Sequence, residues 1–170
     1  MQLQFKRLSD SARLPVYATE GAAAFDLHAD TESHICVYPG EAEVICIGLQ
    51  VEVPAGHVLQ LFSRSGHAFK HGIRLSNCVG IIDSDFRGEL MVKVHNDSED
   101  LYRIEAGERI AQGIITPIPR CTFVEVAELS STDRGALGFG STGVQPELFE
   151  PDYEIARRLA NDVDTSVKPA

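Results

Sequence analysis

The glycine-rich run DRGALGFGSTG brings together side chains that could bind a nucleotide. Arg134 offers a guanidinium that can fork onto phosphate oxygens, and the phenyl ring of Phe139 can lie on a flat base. Gly140 leaves backbone amides free to wrap an anion, and the hydroxyls of Ser141 and Thr142 can donate to phosphate oxygens. The run therefore predicts an arm that closes over a nucleotide, although its composition fits a solvated polar linker equally well.

The letters GFGSTG within this run also match the spacing G-x-G-x-x-G of dinucleotide-binding and kinase loops. A dinucleotide site needs a buried strand before the glycines and a helix directly after them. Here the preceding SSTDR is polar, and Pro146 breaks any helix that starts at the last glycine. A kinase would also need HRD and DFG motifs, and the sequence has neither. The spacing alone therefore identifies no known loop.

The stretch NCVGIIDSDFRGE carries two closely spaced acids, Asp83 and Asp85. Their spacing resembles a calcium loop, but Arg87 stands where a ligand is needed and Val94 where the bidentate glutamate belongs. Asp83 follows a buried apolar pair, so it could be a carboxylate held at a strand end to orient and deprotonate water. An aspartate that caps its own β-turn is the alternative explanation.

Three further stretches carry groups suited to phosphate. In SRSG, Arg64, Ser65 and Gly66 form a compact donor set, and a short helix beginning near Ser65 would add its amides. In GERIAQ, Gln112 could point its amide at a ligand. In GAAAFDL, Asp26 follows a series of small residues. Each of these stretches alone is weak evidence for a site.

The residues that must position these groups form strands, because apolar residues recur at every second position. Apolar residues alternate through EVICIGLQVEV, again from Leu90 to Val94, and a strand is also predicted in CTFVEVAE. Turn signals such as YPGE, VPAGH and EAGER separate the strands, and no sustained helical pattern precedes residue 150. The sequence predicts an all-β barrel or jelly roll.

Length and charge narrow the class of protein. The 170 residues suffice for one domain, and 15 basic against 25 acidic residues give a net charge of −10, which disfavours binding to nucleic acid or anionic membranes. The N-terminus has no apolar signal region, so we expect a soluble, cytoplasmic protein. Four cysteines without a CxxC pair favour buried free thiols over a zinc site.

The last segment, residues 144–170, is acidic and differs in character from the rest of the chain. Pro151 precedes an apolar pair at Ile155 and Leu159, which predicts a short helix around 151–160. Such a helix would be marginal alone, so the segment is either a solvated tail or a helix that docks on the body or on a protein partner.

Taken together and in order, five stretches resemble the five motifs of the trimeric dUTPases. The resemblance covers nearly all of the first 143 residues, and five ordered motifs are far more specific than any one of them. The motifs are GAAAFDL at 21–27, SRSG at 63–66, NCVGIIDSDFRGE at 77–89, AGERIAQ at 106–112 and RGALGFGSTG at 134–143.

The resemblance implies a jelly-roll subunit at 1–143, with a flexible arm at 130–143, in a homotrimer whose active sites are shared. It also implies Mg²⁺ and hydrolysis of dUTP to dUMP and pyrophosphate by water that attacks the α-phosphorus. This reaction would keep uracil out of DNA and supply dUMP for thymidylate synthesis.

The resemblance also implies residue roles. Asp83 would be the catalytic base, Asn77 would read uracil in a pocket too tight for the thymine methyl, and Phe86 would stack under the sugar. Asp26 would support the metal through water. The expected substrate-binding set is Arg64, Ser65, Gly66, Asn77, Gly80, Ile82, Phe86, Met91, Gln112, Arg134, Phe139, Gly140, Ser141 and Thr142.

Three positions depart from the usual motifs. Phe86 stands where tyrosine is more frequent, Leu137 replaces a glycine in the arm, and Ala24 with Phe25 replaces Gly-Tyr before Asp26. Leu137 and the tail keep a second hypothesis open, a regulatory protein of the same fold that binds dUTP or a protein and catalyses little. A relative of the dCTP deaminases, which share the fold, is a third.

Overall fold

The computed structural model describes residues 1–138, which contain eleven strands and one short helix. The chain divides into two compact units, Met1–Thr122 and Phe123–Ala170. The predictions made for Phe139, Gly140, Ser141 and Thr142 and for the helix around 151–160 lie outside the described residues. The strands are β1 Gln4–Arg7, β2 Val16–Tyr17, β3 Phe25–His28, β4 Ile35–Val37, β5 Ala42–Glu52, β6 His57–Ser63, β7 Ile73–Leu75, β8 Val79–Ile82, β9 Glu89–Asn96, β10 Tyr102–Ile104 and β11 Arg109–Pro117, and the helix is α1 Ser65–His71.

The strands of the first unit form three antiparallel sheets. One has four strands in the order β1-β5-β9-β7, another has five in the order β2-β3-β11-β6-β8, and β10 pairs with β4. A single apolar core draws residues from the two larger sheets, among them Leu49 of β5 and Leu61 of β6. Two sheets that share one core form a sandwich, so the all-β fold predicted from the sequence is confirmed.

The alternation seen in the sequence matches the burial of the central strands. All five apolar residues at alternate positions from Ile45 to Val53 are buried, as are Leu90, Val92 and Val94 of β9. The short helix predicted near Ser65 is also present as α1. No described helix is long and apolar enough to span a bilayer.

Two local predictions are wrong. The segment CTFVEVAE is not a strand, because no strand of residues 1–138 pairs with it, and Phe123 is almost fully exposed. All four cysteines are free, but Cys78 and Cys121 are exposed rather than buried. Apolar alternation predicts a strand only where another strand supplies the hydrogen bonds.

Candidate functional site

A cavity of about 330 Å³ opens beside the turn that joins β7 of one large sheet to β8 of the other. Four of the predicted substrate-binding residues line it: Asn77, Gly80, Ile82 and Met91. The cavity size is at the lower end of the range for small-molecule sites, and its lining is mostly apolar with a few polar groups. The structure therefore brings these four predicted residues to one pocket.

The turn between β7 and β8 has an unusual backbone. Cys78 has φ of 60°, the only positive φ of a non-glycine residue among residues 1–138. The amide of Val79 donates to the carbonyl of Asn77 at 2.6 Å, and the amide of Cys78 donates to the carbonyl of Leu75 at 3.2 Å. An i to i+2 bond with positive φ at the central residue is a tight and strained turn. It holds the backbone of Asn77 at the mouth of the cavity.

Gly80 allows β8 to lie close to the neighbouring strand. A Cβ on this residue would stand 3.1 Å from the Cβ of Leu61 in β6, tighter than an ordinary contact. A larger residue at position 80 would push β8 away from β6 and change the width of the cavity.

Asp83 stands directly after the last residue of β8 and is exposed. The apolar pair before it is not buried as predicted, because Ile81 is exposed and Ile82 is half-buried. Its carbonyl accepts a hydrogen bond from the amide of Phe86 at 3.2 Å, which closes a turn. The ring of Phe86 is 39% exposed and lies over Gly88, where a Cβ would be 2.6 Å from the ring. Asp83 and Phe86 thus lie together at the end of the strand that lines the cavity.

A second group of predicted residues surrounds Asp26, which is 6% exposed. Arg64 donates from Nε to its Oδ1 at 2.8 Å, and Arg109 donates from Nη1 to its Oδ2 at 3.1 Å. Arg64 also donates from Nη1 to the carbonyl of Arg109 at 3.1 Å. Two guanidinium groups share one carboxylate, so this group keeps an excess of positive charge that suits a phosphate.

Gln112 lies next to this group because it pairs with Asp26 across β11 and β3. Its Nε2 donates to the carbonyl of Ser63 at 2.9 Å, at the end of β6. Arg64, Ser65 and Gly66 follow at once, and Ser65 and Gly66 begin α1 and are exposed. The structure therefore places Asp26, Arg64 and Gln112 together, with the two exposed residues beside them.

Next to this phosphate-type group in the chain lies a polar cluster of His67, which is buried, and Tyr102 and Glu108, which are half-buried. His67 Nε2 donates to Glu108 Oε1 at 2.7 Å, and the hydroxyl of Tyr102 donates to the same oxygen at 2.8 Å. The amide of Glu105 donates to the other carboxylate oxygen at 2.8 Å. Burial alone would raise the pKa of Glu108, but the hydrogen bonds from Glu105, His67 and Tyr102 outweigh it, so this pKa is lowered. The carboxylate is therefore ionised at neutral pH.

His28 is buried at the end of β3, on the same face as Asp26. Burial, followed by the positive charge of Arg13, lowers the pKa of His28, while the carboxylate of Asp26 opposes the shift. The imidazole is therefore neutral at pH 7.

Asp83 and the group around Arg64 lie at opposite ends of β6. In the register of β6 and β8, Ile82 is opposite Leu59, whereas Arg64 follows the other end of β6. Because strands rise about 3.3 Å per residue, the five residues from Leu59 to Arg64 span about 16 Å. One subunit therefore does not bring Asp83 and Arg64 to the same phosphate.

Arg134 belongs to the second unit and is bonded within its own turn. Its Nε donates to the carbonyl of Leu137 at 2.9 Å, and the amide of Leu137 donates to the carbonyl of Arg134 at 3.1 Å. The side chain of Leu137 is 65% exposed. The turn is thus held mainly by local hydrogen bonds, which include those from the amide of Gly135 to the carbonyl and hydroxyl of Thr132.

Sequence reasoning missed Arg109, Glu108 and His67. Arg109 and Glu108 both occur in the motif GERIAQ, but only Gln112 was selected there. The available signal for Arg109 was its place as a cation in the same short motif as Gln112. The contact of His67 with Glu108 joins residues 41 positions apart, and no local pattern indicates it.

The described residues offer no cage of protein ligands for a metal. Among residues 1–138, no group of three or more His, Cys, Asp or Glu side chains is placed to hold an ion. Both oxygens of Asp26 already accept hydrogen bonds from arginines.

The family model for dUTPase matches residues 10–143. The chain belongs to the dUTPase family. Deoxyuridine 5'-triphosphate nucleotidohydrolases from Nautilia profundicola and Caulobacter vibrioides are 47% and 44% identical to it. These alignments cover 84% and 85% of this chain and 99% and 96% of the relatives.

Two phage proteins show that the likeness extends to the fold of this dUTPase-family chain. The dUTPase of Staphylococcus bacteriophage 80alpha with dUpNHpp has a TM-score of 0.77 at 33% identity, over 84% of this chain and 99% of that one. A mutant dUTPase from phage phi11 of S. aureus has a TM-score of 0.68 at 25% identity, over 75% and 98%, and its description names a structural Mg(II) ion.

Proposed function

We propose that this protein hydrolyses dUTP to dUMP and pyrophosphate, as a dUTP diphosphatase. The observation that carries the proposal is the cavity beside β8, which opens next to Asp83 in a chain of the dUTPase family. Its volume of about 330 Å³ accommodates a pyrimidine base and its sugar. The activity of the family and a pocket large enough for a deoxynucleoside thus support the same function.

Within the cavity, the backbone of the turn around Asn77 would supply the polar groups for the edge of uracil. Ile82 and Met91 supply apolar surface against the flat faces of the base. Because Gly80 keeps β8 close to Leu61, the pocket stays narrow, which supports the exclusion of the thymine methyl group. The ring of Phe86 would pack on the deoxyribose, where a 2′-hydroxyl would collide with it.

The chemical step assigned to Asp83 is general base catalysis. Its carboxylate accepts a proton from water, and the water oxygen bonds to the α-phosphorus while the bond to the bridging oxygen breaks. Pyrophosphate leaves with the electron pair of that bond. The exposed position of Asp83 at the end of a strand supports this role, because water and substrate can both reach it.

Arg64, Ser65 and Gln112 would bind the phosphates, and the structure adds Arg109 to this set. A guanidinium has five N–H donors, and Arg64 uses Nε and Nη1 within the chain, so its remaining donors can face a phosphate oxygen. Asp26 fixes both arginines in place. Arg134, Ser141 and Thr142 of the arm would bind the γ-phosphate, and Phe139 would cover the base.

A homotrimer with shared active sites agrees with the separation of the two residue groups. About 16 Å between the two ends of β6 is too far for Asp83 and Arg64 of one chain to contact the same phosphate. The family resemblance implies that the groups come from different subunits, with the arm of one closing over the others. The separation supports this arrangement, because one subunit alone holds an incomplete site.

Magnesium would be bound mainly by the triphosphate. Mg²⁺ keeps several of its waters and needs only one or two protein carboxylates when it binds substrate phosphates. The described residues offer no group of three protein ligands, which agrees with such a site. Asp26 would contact it through water, since arginines occupy both of its oxygens. When bound, the ion neutralises negative charge on the phosphate oxygens.

The test is hydrolysis of dUTP against dTTP, dCTP and UTP, with and without Mg²⁺, followed by release of pyrophosphate. We expect turnover of dUTP with Mg²⁺ and at least hundredfold lower kcat/KM for the other three nucleotides. Equal cleavage of all four would overturn the pocket argument. Release of ammonia from dCTP would instead identify the deaminase reaction.

A regulatory role is the second candidate. The description of the 80alpha dUTPase says that phage dUTPases control transfer of virulence genes by a G protein-like mechanism, which is a statement about those proteins. A protein partner would be recruited through residues 144–170, as predicted from the sequence. The test deletes residues 144–170 and measures dUTP turnover and the capture of protein partners. If turnover is unchanged and the same partners are still captured, this role is contradicted. The cytoplasmic location also stays a prediction.

A further inference from the structure

Helix α1 begins at the phosphate-type group, yet its first turn lacks the usual support. The residue that precedes it, Arg64, makes no side-chain hydrogen bond to cap the helix, because a guanidinium has no acceptor for the helix amides. A seven-residue helix without an N-terminal side-chain cap is marginal by itself, although Gly72 caps its C-terminus. Its orientation must therefore come from contacts made by its side chains.

His67 is the one residue of α1 that is buried, with 7% of its surface exposed. Its Nε2 reaches Glu108 Oε1 at 2.7 Å. Because the carboxylate can only accept, Nε2 must carry the proton. The ring also packs edge-on against Tyr102, with centroids 5.8 Å apart. These contacts anchor the helix to the turn before β11.

Glu108 is in turn held rigidly by three donors. His67 and Tyr102 share Oε1, and the amide of Glu105 occupies Oε2. The next residue, Arg109, binds Asp26 through its side chain and accepts from Arg64 through its carbonyl. The segment with Arg64 and the segment with Arg109 are thus joined twice, at Arg64 with Arg109 and at His67 with Glu108.

We propose that His67 is a positioning residue for triphosphate binding, which acts by fixing the turn of Arg64 and Ser65 against β11 through Glu108. The inference rests on the proposed function, because it assigns this turn to the phosphates of dUTP. Loss of the His67 donor removes the hydrogen bond that ties the first turn of α1 to Glu108, while the contact of His71 with Tyr102 near the other end of the helix remains. Arg64 then has more than one orientation, and the cost of ordering its side chain lowers the affinity for a triphosphate.

The test compares two ligands that differ in their phosphates, dUpNHpp and dUMP, in His67→Leu and His67→Gln. Leucine fills space but has no donor, whereas the glutamine Nε2 can donate to Glu108 from a similar position. In His67→Leu we expect the affinity for dUpNHpp to fall about tenfold, the size of one lost bond to a charged group, and the affinity for dUMP to fall less than about twofold. His67→Gln should restore most of the loss.

Tyr102→Phe provides a second variant in case His67→Leu folds poorly. It removes one donor to Glu108 and keeps the ring that packs on His67, so we expect a smaller loss of dUpNHpp affinity in the same direction. The proposal is overturned if the melting temperature falls while dUpNHpp affinity stays unchanged, or if both ligands weaken equally. A wild-type chain that does not hydrolyse dUTP would overturn the proposed function instead.

Discussion

Arg64 and Asp26 form the most buried ion pair of the phosphate-type group, with Nε and Oδ1 2.8 Å apart and a side-chain exposure of 22% and 9%. Arg109 binds the other oxygen of the same carboxylate. A single acid thus orients two cations that come from different strands. Removal of its charge leaves two guanidinium groups that repel each other.

Asp26→Asn should therefore destabilise the protein by about 1–3 kcal/mol, the cost of leaving charged donors without a partner. Urea unfolding at a fixed protein concentration measures the change. Asp97→Asn is a matched control, because Asp97 pairs with Arg74 at the surface, where such pairs contribute little. Equal effects of the two substitutions would contradict a special role for Asp26.

Asp83→Asn should lower kcat for dUTP by about 10² to 10⁴-fold, the usual contribution of a general base, while dUpNHpp still binds. Asp85→Asn removes an exposed carboxylate from the same turn and should leave turnover near that of the wild type. Single-turnover kinetics and a binding titration separate the chemical step from affinity. Full activity of Asp83→Asn would exclude this residue as the base.

The sequence predicted the fold well where burial follows a period of two. The residues from Ile45 to Val53 alternate because one face of β5 meets the core, and that physical cause is visible locally. The segment from Cys121 to Val126 has a similar pattern but no strand to pair with in the described residues. Pairing is a property of distant parts of the chain, which a local pattern does not contain.

The same limit applies to the candidate site. Motifs indicated Asn77, Gly80 and Arg64 because each motif is contiguous in the sequence. The contact between His67 and Glu108 was missed because it depends on how α1 packs on the turn before β11. Likewise, the separation of Asp83 from Arg64 became apparent only from the register of β6 and β8.

Gly88→Ala should reduce discrimination between dUTP and UTP. The new Cβ would stand 2.6 Å from Cζ of Phe86, so the ring must move away from its present position. We expect the ratio of kcat/KM for the two nucleotides to fall about tenfold or more, because the ring is proposed to exclude the 2′-hydroxyl. Phe86→Tyr keeps the ring and should keep the ratio. An unchanged ratio in Gly88→Ala would show that Phe86 does not face the sugar.

His28 should make the protein less stable in mild acid. Its pKa is lowered in the folded state from 6.5, first by burial and then by Arg13. Below pH 6.5 the unfolded chain therefore binds a proton that the folded chain does not, and the free energy of unfolding decreases until the pH reaches the folded pKa.

His28→Asn removes this titration, so its stability should change less between pH 7.5 and pH 5.5 than that of the wild type. Urea unfolding at both pH values gives the two differences. His34, exposed on the surface, serves as the control through His34→Asn, which should retain the dependence of the wild type. A wild-type dependence in His28→Asn would assign the effect to other groups.

Leu137→Gly tests whether the backbone of the arm limits its closure. The resemblance of the arm to the family motif implies glycine at position 137, and Leu137 has no positive φ here, since Cys78 is the only such non-glycine residue among residues 1–138. If the closed arm needs a left-handed backbone at this position, leucine costs about 1–2 kcal/mol that glycine does not. The affinity of Leu137→Gly for dUpNHpp should then rise about five- to thirtyfold.

Leu137→Ala separates the backbone from the side chain. Alanine removes the same exposed side chain but keeps the Cβ, so it should bind dUpNHpp like the wild type. The melting temperature of all three proteins should agree, because the leucine side chain is 65% exposed and packs little. An equal gain in Leu137→Ala would assign the effect to the leucine side chain, and no gain in either variant would mean that closure does not require a left-handed residue at 137.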